Sequence, residues 1–326
     1  MLRGAPAVVA AVDRYATVRA EIAAEAGPLV IESQIDGRRW TIDAPDGEEL
    51  TGGDLGAVLA AFRTATAWAP SLAGRGVRVV VDARPFLIDG RKIGLGRSAA
   101  SVTAAVAAFL AAAGRRDRAE TCEAAIAAHT LFQEGHGSGA DVAASAHGGV
   151  IEFRRTAGRL SVAARTLPAG LEPVVGWTGE PAPTDPLVRH FTTSANAREP
   201  EALRALVQAA EEAARAIAAG DVAAFGTAVT ASAGLLERLG HDLGVPIVTP
   251  SLARLVAAAR AAGVVAKPAG AGGGDCGVGF CSSSAQADAV RAAWRAVGIV
   301  PLALAIAPAG VVVEAAAPDG REAAVG

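Results

Sequence analysis

Three glycine-rich stretches hold the residues of this sequence whose types and spacing could do chemistry. The first is Gly94-Leu95-Gly96-Arg97-Ser98-Ala99-Ala100, placed directly before an apolar run with helical spacing. Glycine lets backbone N–H groups approach a phosphate closely, and a helix start adds unpaired donors and a favourable dipole. Ser98 brings a hydroxyl that can donate to a phosphate or ligate Mg2+. A Walker A loop would need Gly-Lys-Ser/Thr at its end, and that string is absent. Gly94, Gly96 and Ala99 formally match a dinucleotide fingerprint. That motif requires a second strand with a terminal acid about 20 residues on, where Gly114 to Glu120 is instead charged and turn-like. A phosphate loop of another kind and a purely structural turn remain open for this stretch alone.

The second stretch is Gly135-His136-Gly137-Ser138-Gly139-Ala140-Asp141-Val142. Ser138 and Asp141 have capping-box spacing, with Asp in place of Glu, so a structural reading stands beside a functional one. In the functional reading Asp141 orients an acceptor or a metal, while His136, Ser138 and Gly139 face an anionic substrate. The third stretch runs from Lys267 through Gly270-Ala271-Gly272-Gly273-Gly274-Asp275-Cys276 to Gly277. Successive glycines there suit an anion-holding backbone nest, although a flexible linker would have the same composition. Of 30 lysine and arginine residues only Lys92 and Lys267 are lysine, and each adjoins a glycine stretch. A compact ammonium meets phosphate as a point charge. The histidines His129, His147, His190 and His241 form no metal-binding spacing and read as ordinary surface or core residues. No Gly-x-Ser-x-Gly string supports hydrolase chemistry.

These stretches need elements to hold them. Apolar spacing predicts helices over 54–67, from the first glycine stretch to about 113, over 118–133, and at about 199–218, 220–239, 250–262 and 284–297. β-Branched runs predict strands at 28–32 and 38–43 around an Asp36-Gly37 turn, at 77–81, at 149–154 with 159–163, at 174–177, 264–266 and 278–281, and two more over 301–315. The last ten residues are expected to fray. The character changes near Leu167-Pro168-Ala169-Gly170, which suggests a nucleotide-binding domain over 1–167 and a second α+β domain over 168–326. With 326 residues, 52% of them hydrophobic, the chain can bury a core in each. A net charge of -3 argues against nucleic-acid or polybasic membrane binding. Ala99 to Ala113 is too short for a membrane span, which takes about 20 residues. Three cysteines without metal spacing, and no leader, point to a reducing cytoplasmic setting.

Taken together, the stretches resemble the galactokinase, homoserine kinase, mevalonate kinase and phosphomevalonate kinase (GHMP) superfamily. Its phosphate loop has the form Pro-x-x-x-Gly-Leu-Gly-Ser-Ser-Ala-Ala, to which Lys92-Ile93-Gly94-Leu95-Gly96-Arg97-Ser98-Ala99-Ala100 corresponds. Three segments look like the phosphomevalonate kinase branch: Gly137-Ser138-Gly139-Ala140-Asp141-Val142-Ala143-Ala144-Ser145, the Gly176-Trp177-Thr178-Gly179-Glu180-Pro181-Ala182 run followed by Thr184, and the Gly-Asp-Cys-Gly ending of the third stretch.

The resemblance implies a two-domain α+β fold, with a ribosomal-protein-S5-like first domain and a ferredoxin-like second one. It implies ATP and Mg2+, phosphomevalonate as acceptor, and a monomer or homodimer. It implies that the backbone of Gly94, Leu95, Gly96, Arg97, Ser98 and Ala99 cradles ATP, that Ser98 helps hold the metal, and that Asp141 and Lys92 are catalytic. On the substrate side it implies His136, Ser138, Gly139, Thr178, Thr184, Lys267, Gly270, Ala271, Gly272 and Gly273. Mevalonate or another small molecule is the alternative acceptor, and an inactive metabolite-binding relative is the alternative outside enzymes. Two departures stand out. Arg97 occupies a position where the family has serine. The family's first strand, with Pro-Gly-Lys and then Gly-Glu-His/Tyr-Ala-Val, is not matched, because Met1-Leu2-Arg3-Gly4-Ala5-Pro6 resembles the segment after it; a late-assigned start or a shortened relative is expected.

Overall fold

The computed structural model describes residues 4–156, 158–181, 200–270 and 272–315. In the first half, strands β1 (Ala7–Ala10), β2 (Thr17–Ala26), β3 (Leu29–Ser33) and β4 (Arg39–Ile42) precede helix α1 (Gly53–Trp68) and strand β5 (Arg75–Asp82). The two-residue strands β6 (Leu87–Ile88) and β7 (Arg91–Lys92) pair with each other ahead of α2 (Arg97–Ala112), α3 (Arg118–Phe132), α4 (Ala140–His147) and the hairpin β8 (Val150–Thr156) and β9 (Arg159–Arg165). Leu29 and Ile31 in β3 and Val77, Val79 and Val81 in β5 are buried at every second position, the period a pleated strand imposes. β3 and β5 run parallel with Ile31 opposite Val79, inside a sheet ordered β2-β5-β3-β4. A second sheet is ordered β1-β8-β9.

Alanine at the contact faces lets α1, α2, α3 and α4 approach closely. Ala57, Ala60, Ala61 and Ala65 on α1 are buried, as are Ala99 and Ala105 on α2. Phe62 and Phe109 lock α1 to α2 edge to face, with ring centroids 5.5 Å apart. The apolar run at 99–113 is therefore a core helix. Among the described residues no helix is long and apolar enough to cross a membrane.

The second half comprises β10 (Glu172–Trp177), α5 (Glu201–Ala219), α6 (Val222–Leu243), α7 (Pro250–Ala261), β11 (Val265–Pro268), β12 (Cys276–Cys281), α8 (Ser284–Ala296) and β13 (Val300–Leu302). Its sheet is antiparallel and ordered β11-β12-β10-β13. Read from the other edge, that is the fourth, first, third and second strands of the half, the ferredoxin-like order. Buried Trp294 on α8 donates to the carbonyl of Leu255 at 2.9 Å, and its indole ring lies on the sheet where Gly176 provides room. A Cβ at Gly176 would come within 2.9 Å of that ring. The mixed α+β expectation holds.

The end of the chain departs from expectation. Of the two strands predicted over 301–315, only Val300–Leu302 forms; Ile306 makes a single bridge to Val12. After β13 the chain leaves the sheet and lies along the first half. It is tied there at isolated points, by Asp13 N to Ala305 O at 3.0 Å, Ala307 N to Ala11 O at 2.9 Å and Gly149 N to Ala307 O at 2.7 Å. At Gly310 its backbone touches that of Ala146, where a Cβ would stand 2.2 Å from the Ala146 oxygen. A segment bonded at points to loops and helix ends has no neighbouring strand to pair along. The residues expected to fray, most of the proline-punctuated loop after β10, Thr184 and Ala271 lie outside the described residues.

Candidate active site

The first glycine stretch delivers the chain into α2. Gly96 takes a left-handed φ of +77° as N-cap, without a side-chain cap. The helix ladder begins with Ala100 N donating to Gly96 O at 3.0 Å, so the N–H groups of Arg97, Ser98 and Ala99 lie ahead of it. The Ala99 side chain itself is fully buried in the core, so only its backbone can serve a ligand. Gly94, at φ +70°, is pressed against the third stretch: a Cβ there would lie 2.2 Å from Asp275 Cγ. One residue earlier, the buried Cys276 thiol donates to Ile93 O at 3.0 Å. The first and third stretches are thus in contact across the two halves.

The second stretch delivers the chain into α4 in the same way. Gly139 is the N-cap at φ +81°, again uncapped by a side chain, and Ala143 N donates to Gly139 O at 2.9 Å. The capping box expected from Ser138 and Asp141 does not form. Ser138 Oγ accepts from Ala140 N at 3.2 Å, and Asp141 Oδ1 accepts from Val142 N at 3.0 Å. The reason is that the left-handed turn at Gly139 makes glycine, not serine, the cap. The two helix starts adjoin, since a Cβ at Gly96 would be 3.9 Å from Asp141 Cβ. The N–H groups that open α2, with the Asp141 carboxylate at the adjoining start of α4, can hold a polyanion and orient a second reactant.

Beneath Ser98 lies a residue that motif reasoning passed over. His129 on α3 is only 1% exposed, and its Nε2 lies 3.1 Å from Ser98 Oγ. Its Nδ1 is buried without a partner among the described residues. Burial pushes the His129 imidazole below its ordinary pKa, with the Asp141 carboxylate pulling the other way. The signal available was positional: Cys122, Ala125, Ile126 and His129 form the buried stripe of α3, and a histidine in such a stripe needs a reason. Arg91 was also missed; its guanidinium lies 5.1 Å over the Trp177 ring and donates to Gly179 O at 3.1 Å.

The third stretch holds its residues differently. Thr178 is buried, and both its N–H and its hydroxyl donate to Asp275 O, at 2.8 and 2.9 Å. It spends its donors on fixing the loop, contrary to the expectation of a substrate contact. Gly273 N donates to Ile247 O at 2.7 Å, and a Cβ at Gly272 would sit 2.3 Å from that oxygen. Lys267 is half-buried on β11, donates to Pro268 O at 2.7 Å, and has its pKa pushed down to about 8 by burial. Gly270 is exposed at φ +62°. Lys92 and His136 are exposed and Arg97 is half-buried at the start of α2. Leu95 packs on the cluster of Ile93, Trp177 and Cys276.

Among the described residues no group of three or more His, Cys, Asp or Glu side chains could cage a metal ion. A Mg2+ that arrives on a nucleotide needs only one or two protein oxygens, the rest coming from phosphate and water. Ser98 and Asp141, at adjoining helix starts, fit that requirement.

Comparison with known proteins gives a consistent result. Residues 57–149 match the family described as GHMP kinases N terminal domain, and residues 210–300 match GHMP kinases C terminal. A phosphomevalonate kinase of Streptomyces sp. (strain CL190) is 33% identical over 352 residues, covering 94% of this chain and 93% of that protein. A protein from Listeria innocua superposes with a TM-score of 0.81 at 23% identity, over 92% of this chain and 91% of its own. Streptococcus pneumoniae phosphomevalonate kinase, solved in complex with phosphomevalonate and AMPPNP, superposes with a TM-score of 0.75 at 22% identity, covering 93% of each chain.

Proposed function

The chain belongs to the phosphomevalonate kinase family of the GHMP kinases, and from that premise we propose that it transfers the terminal phosphoryl group of ATP to (R)-5-phosphomevalonate, giving the diphosphate and ADP. The observation that carries the reading is the junction of the α2 and α4 starts, with Asp141 beside Gly96. The acceptor is a phosphate monoester with a second pKa of about 6, so its attacking oxygen is largely deprotonated at neutral pH. The new bond joins that oxygen to the γ-phosphorus, and the bond to the bridging oxygen of ADP breaks. Such a transfer depends on positioning and charge neutralisation more than on a strong base.

In this reading the backbone from Gly94 to Ala99 holds the ATP phosphates. Asp141 orients the acceptor, with Ser138, Gly139 and His136 around it. Lys92 and Arg97 supply charge beside the phosphates. Lys267 and Gly270 to Gly273 bound the acceptor side from the second half, Gly272 and Gly273 through their hold on Ile247. Ser98 and Asp141 would hold Mg2+, which supplies charge neutralisation on the phosphates. The division into a nucleotide-binding half and a second half near residue 167 belongs to the same proposal. It is supported by the end of β9 at Arg165 and the start of β10 at Glu172, although 303–315 returns to the first half. Buried free thiols at Cys122, Cys276 and Cys281 suit a reducing cytoplasm.

The test is a coupled ADP-release assay with MgATP and phosphomevalonate, mevalonate or homoserine. Phosphomevalonate is expected to give a kcat/KM at least about 100-fold above the others, since an acceptor site that pairs with a phosphate rejects molecules lacking one. Turnover with mevalonate alone would replace the acceptor. Failure of any nucleotide to bind would remove the kinase reading.

A further inference from the structure

His129 is a buried polar group with one bond. Its ring lies 6.1 Å from that of Phe132, its Nε2 meets Ser98 Oγ at 3.1 Å, and its buried Nδ1 has no protein partner among the described residues. Residue 137, next to Nδ1, is a glycine and brings no side chain of its own. A Cβ there would lie 3.7 Å from Nδ1 and 2.7 Å from Gln133 Oε1. Burying an imidazole costs free energy that an apolar side chain of similar size would avoid, and the one bond it gains is to Ser98. Its two neutral tautomers are unequal. With the proton on Nδ1, an N–H donor is buried with no acceptor among the described residues; with the proton on Nε2, only a lone pair goes unpaired. Orphaned buried donors are the rarer and costlier of the two.

We propose that His129 is a positioning residue for phosphoryl transfer: its Nε2–H donates to Ser98 Oγ and so leaves the Ser98 hydroxyl proton directed at a nucleotide phosphate oxygen over the start of α2. The proposal rests on the kinase reading for the identity of the anion. The contact stands on this structure alone, and the tautomer is inferred from it. Without the imidazole, a serine in a first helical turn is free to rotate its hydroxyl onto local backbone groups. With one Oγ lone pair taken by His129, the hydroxyl proton is left to meet a phosphate oxygen and the second lone pair is left for the metal. Ser98 thereby joins the N–H groups of Arg97 and Ala99 as a fixed donor, and preorganised donors are what a developing phosphoryl charge uses.

Three measurements decide it. In the ligand-free, metal-free protein, 15N NMR of the histidine rings should find His129 protonated at Nε2 and bare at Nδ1; the opposite tautomer overturns the proposal. His129→Leu should lower kcat/KM for ATP by about 10- to 100-fold, as removing a supporting hydrogen bond does. His129→Gln, whose amide nitrogen can stand where Nε2 does, should recover most of that loss. In a Ser98→Ala background, His129→Leu should cost less than about a further twofold, because the two act through one bond. Equal losses in both backgrounds, or no rescue by Gln, would reduce His129 to a packing residue. Calorimetric binding of AMPPNP to the unaltered protein separates the two levels of argument. No binding there removes the kinase reading, whereas normal binding with no change in His129→Leu removes only this inference. If His129→Leu does not fold, the NMR tautomer and the Gln variant still decide.

Discussion

At Gly96 and Gly139 the chain turns through φ of +77° and +81° straight into a helix; at Gly272 and Gly273 it turns through +76° and +82° against the carbonyl of Ile247. The local conformations match and the consequences do not. Before α2 the glycine leaves the N–H groups of Arg97, Ser98 and Ala99 ahead of the helix ladder, and before α4 the first N–H groups meet only the local Ser138 and Asp141 side chains. Between β11 and β12 they bring backbone onto backbone and use an N–H internally. The lysines divide in the same sense. Lys92 stays exposed beside the first stretch, while Lys267 is drawn in and bonded to Pro268 O. Glycine-rich composition therefore marks places where the backbone must come close to something, and only the neighbours say whether that is a ligand or the protein itself.

Gly94 joins the two regions, so changing it should have the largest effect. A Cβ would overlap the Asp275 side chain at 2.2 Å in a left-handed backbone that alanine resists. Gly94→Ala is expected to lower kcat/KM by about 100-fold or more, the scale of a 1 Å misplacement of a phosphate loop. A variant with near-normal kinetics would show that the contact with the third stretch is not needed for positioning.

Gly272→Ala sharpens the contrast from the other side. Its Cβ would meet Ile247 O at 2.3 Å, so the loss should appear first as stability, about 1–3 kcal/mol in a denaturant titration. A collapse of turnover with unchanged stability would mean that this stretch works as an anion loop like the first.

The smallest effect is expected at Lys267. Burial lowers its pKa from 10.5 to about 8. Between those values the unfolded chain binds more protons than the folded one, so stability should rise with pH across that window. Below about pH 8 both states are charged and the burial cost is present in full. Lys267→Met should therefore be more stable than the parent at neutral pH and should lack the rising limb between pH 8 and 10.5, as unfolding titrations at stepped pH would show. An unchanged limb would place the lysine in water.

Much of the frame was legible because local chemistry was strong enough to act alone. Asp36-Gly37 between two β-branched runs specified the β3–β4 hairpin, and apolar spacing after Gly96 specified α2 nearly to the residue. The three glycine stretches and Asp141 were visible as candidates for the same reason. What escaped had no local signature. Val311–Val313 has β-branched residues but no strand to pair with, and His129 resembles any other histidine until Ser98 is placed against it.

The sequence by itself determined where the backbone turns, which runs are helical, and which residues can meet an anion. Those follow from φ restrictions, side-chain period and charge, all of which act within a few residues. Tertiary structure alone decided that the starts of α2 and α4 adjoin, that Asp275 closes on Gly94, that Thr178 spends its hydroxyl on a loop, and that the third stretch packs on Ile247. Each of those depends on which surfaces a folded core brings together, and contacts between residues far apart in the chain leave no trace in the spacing of either partner.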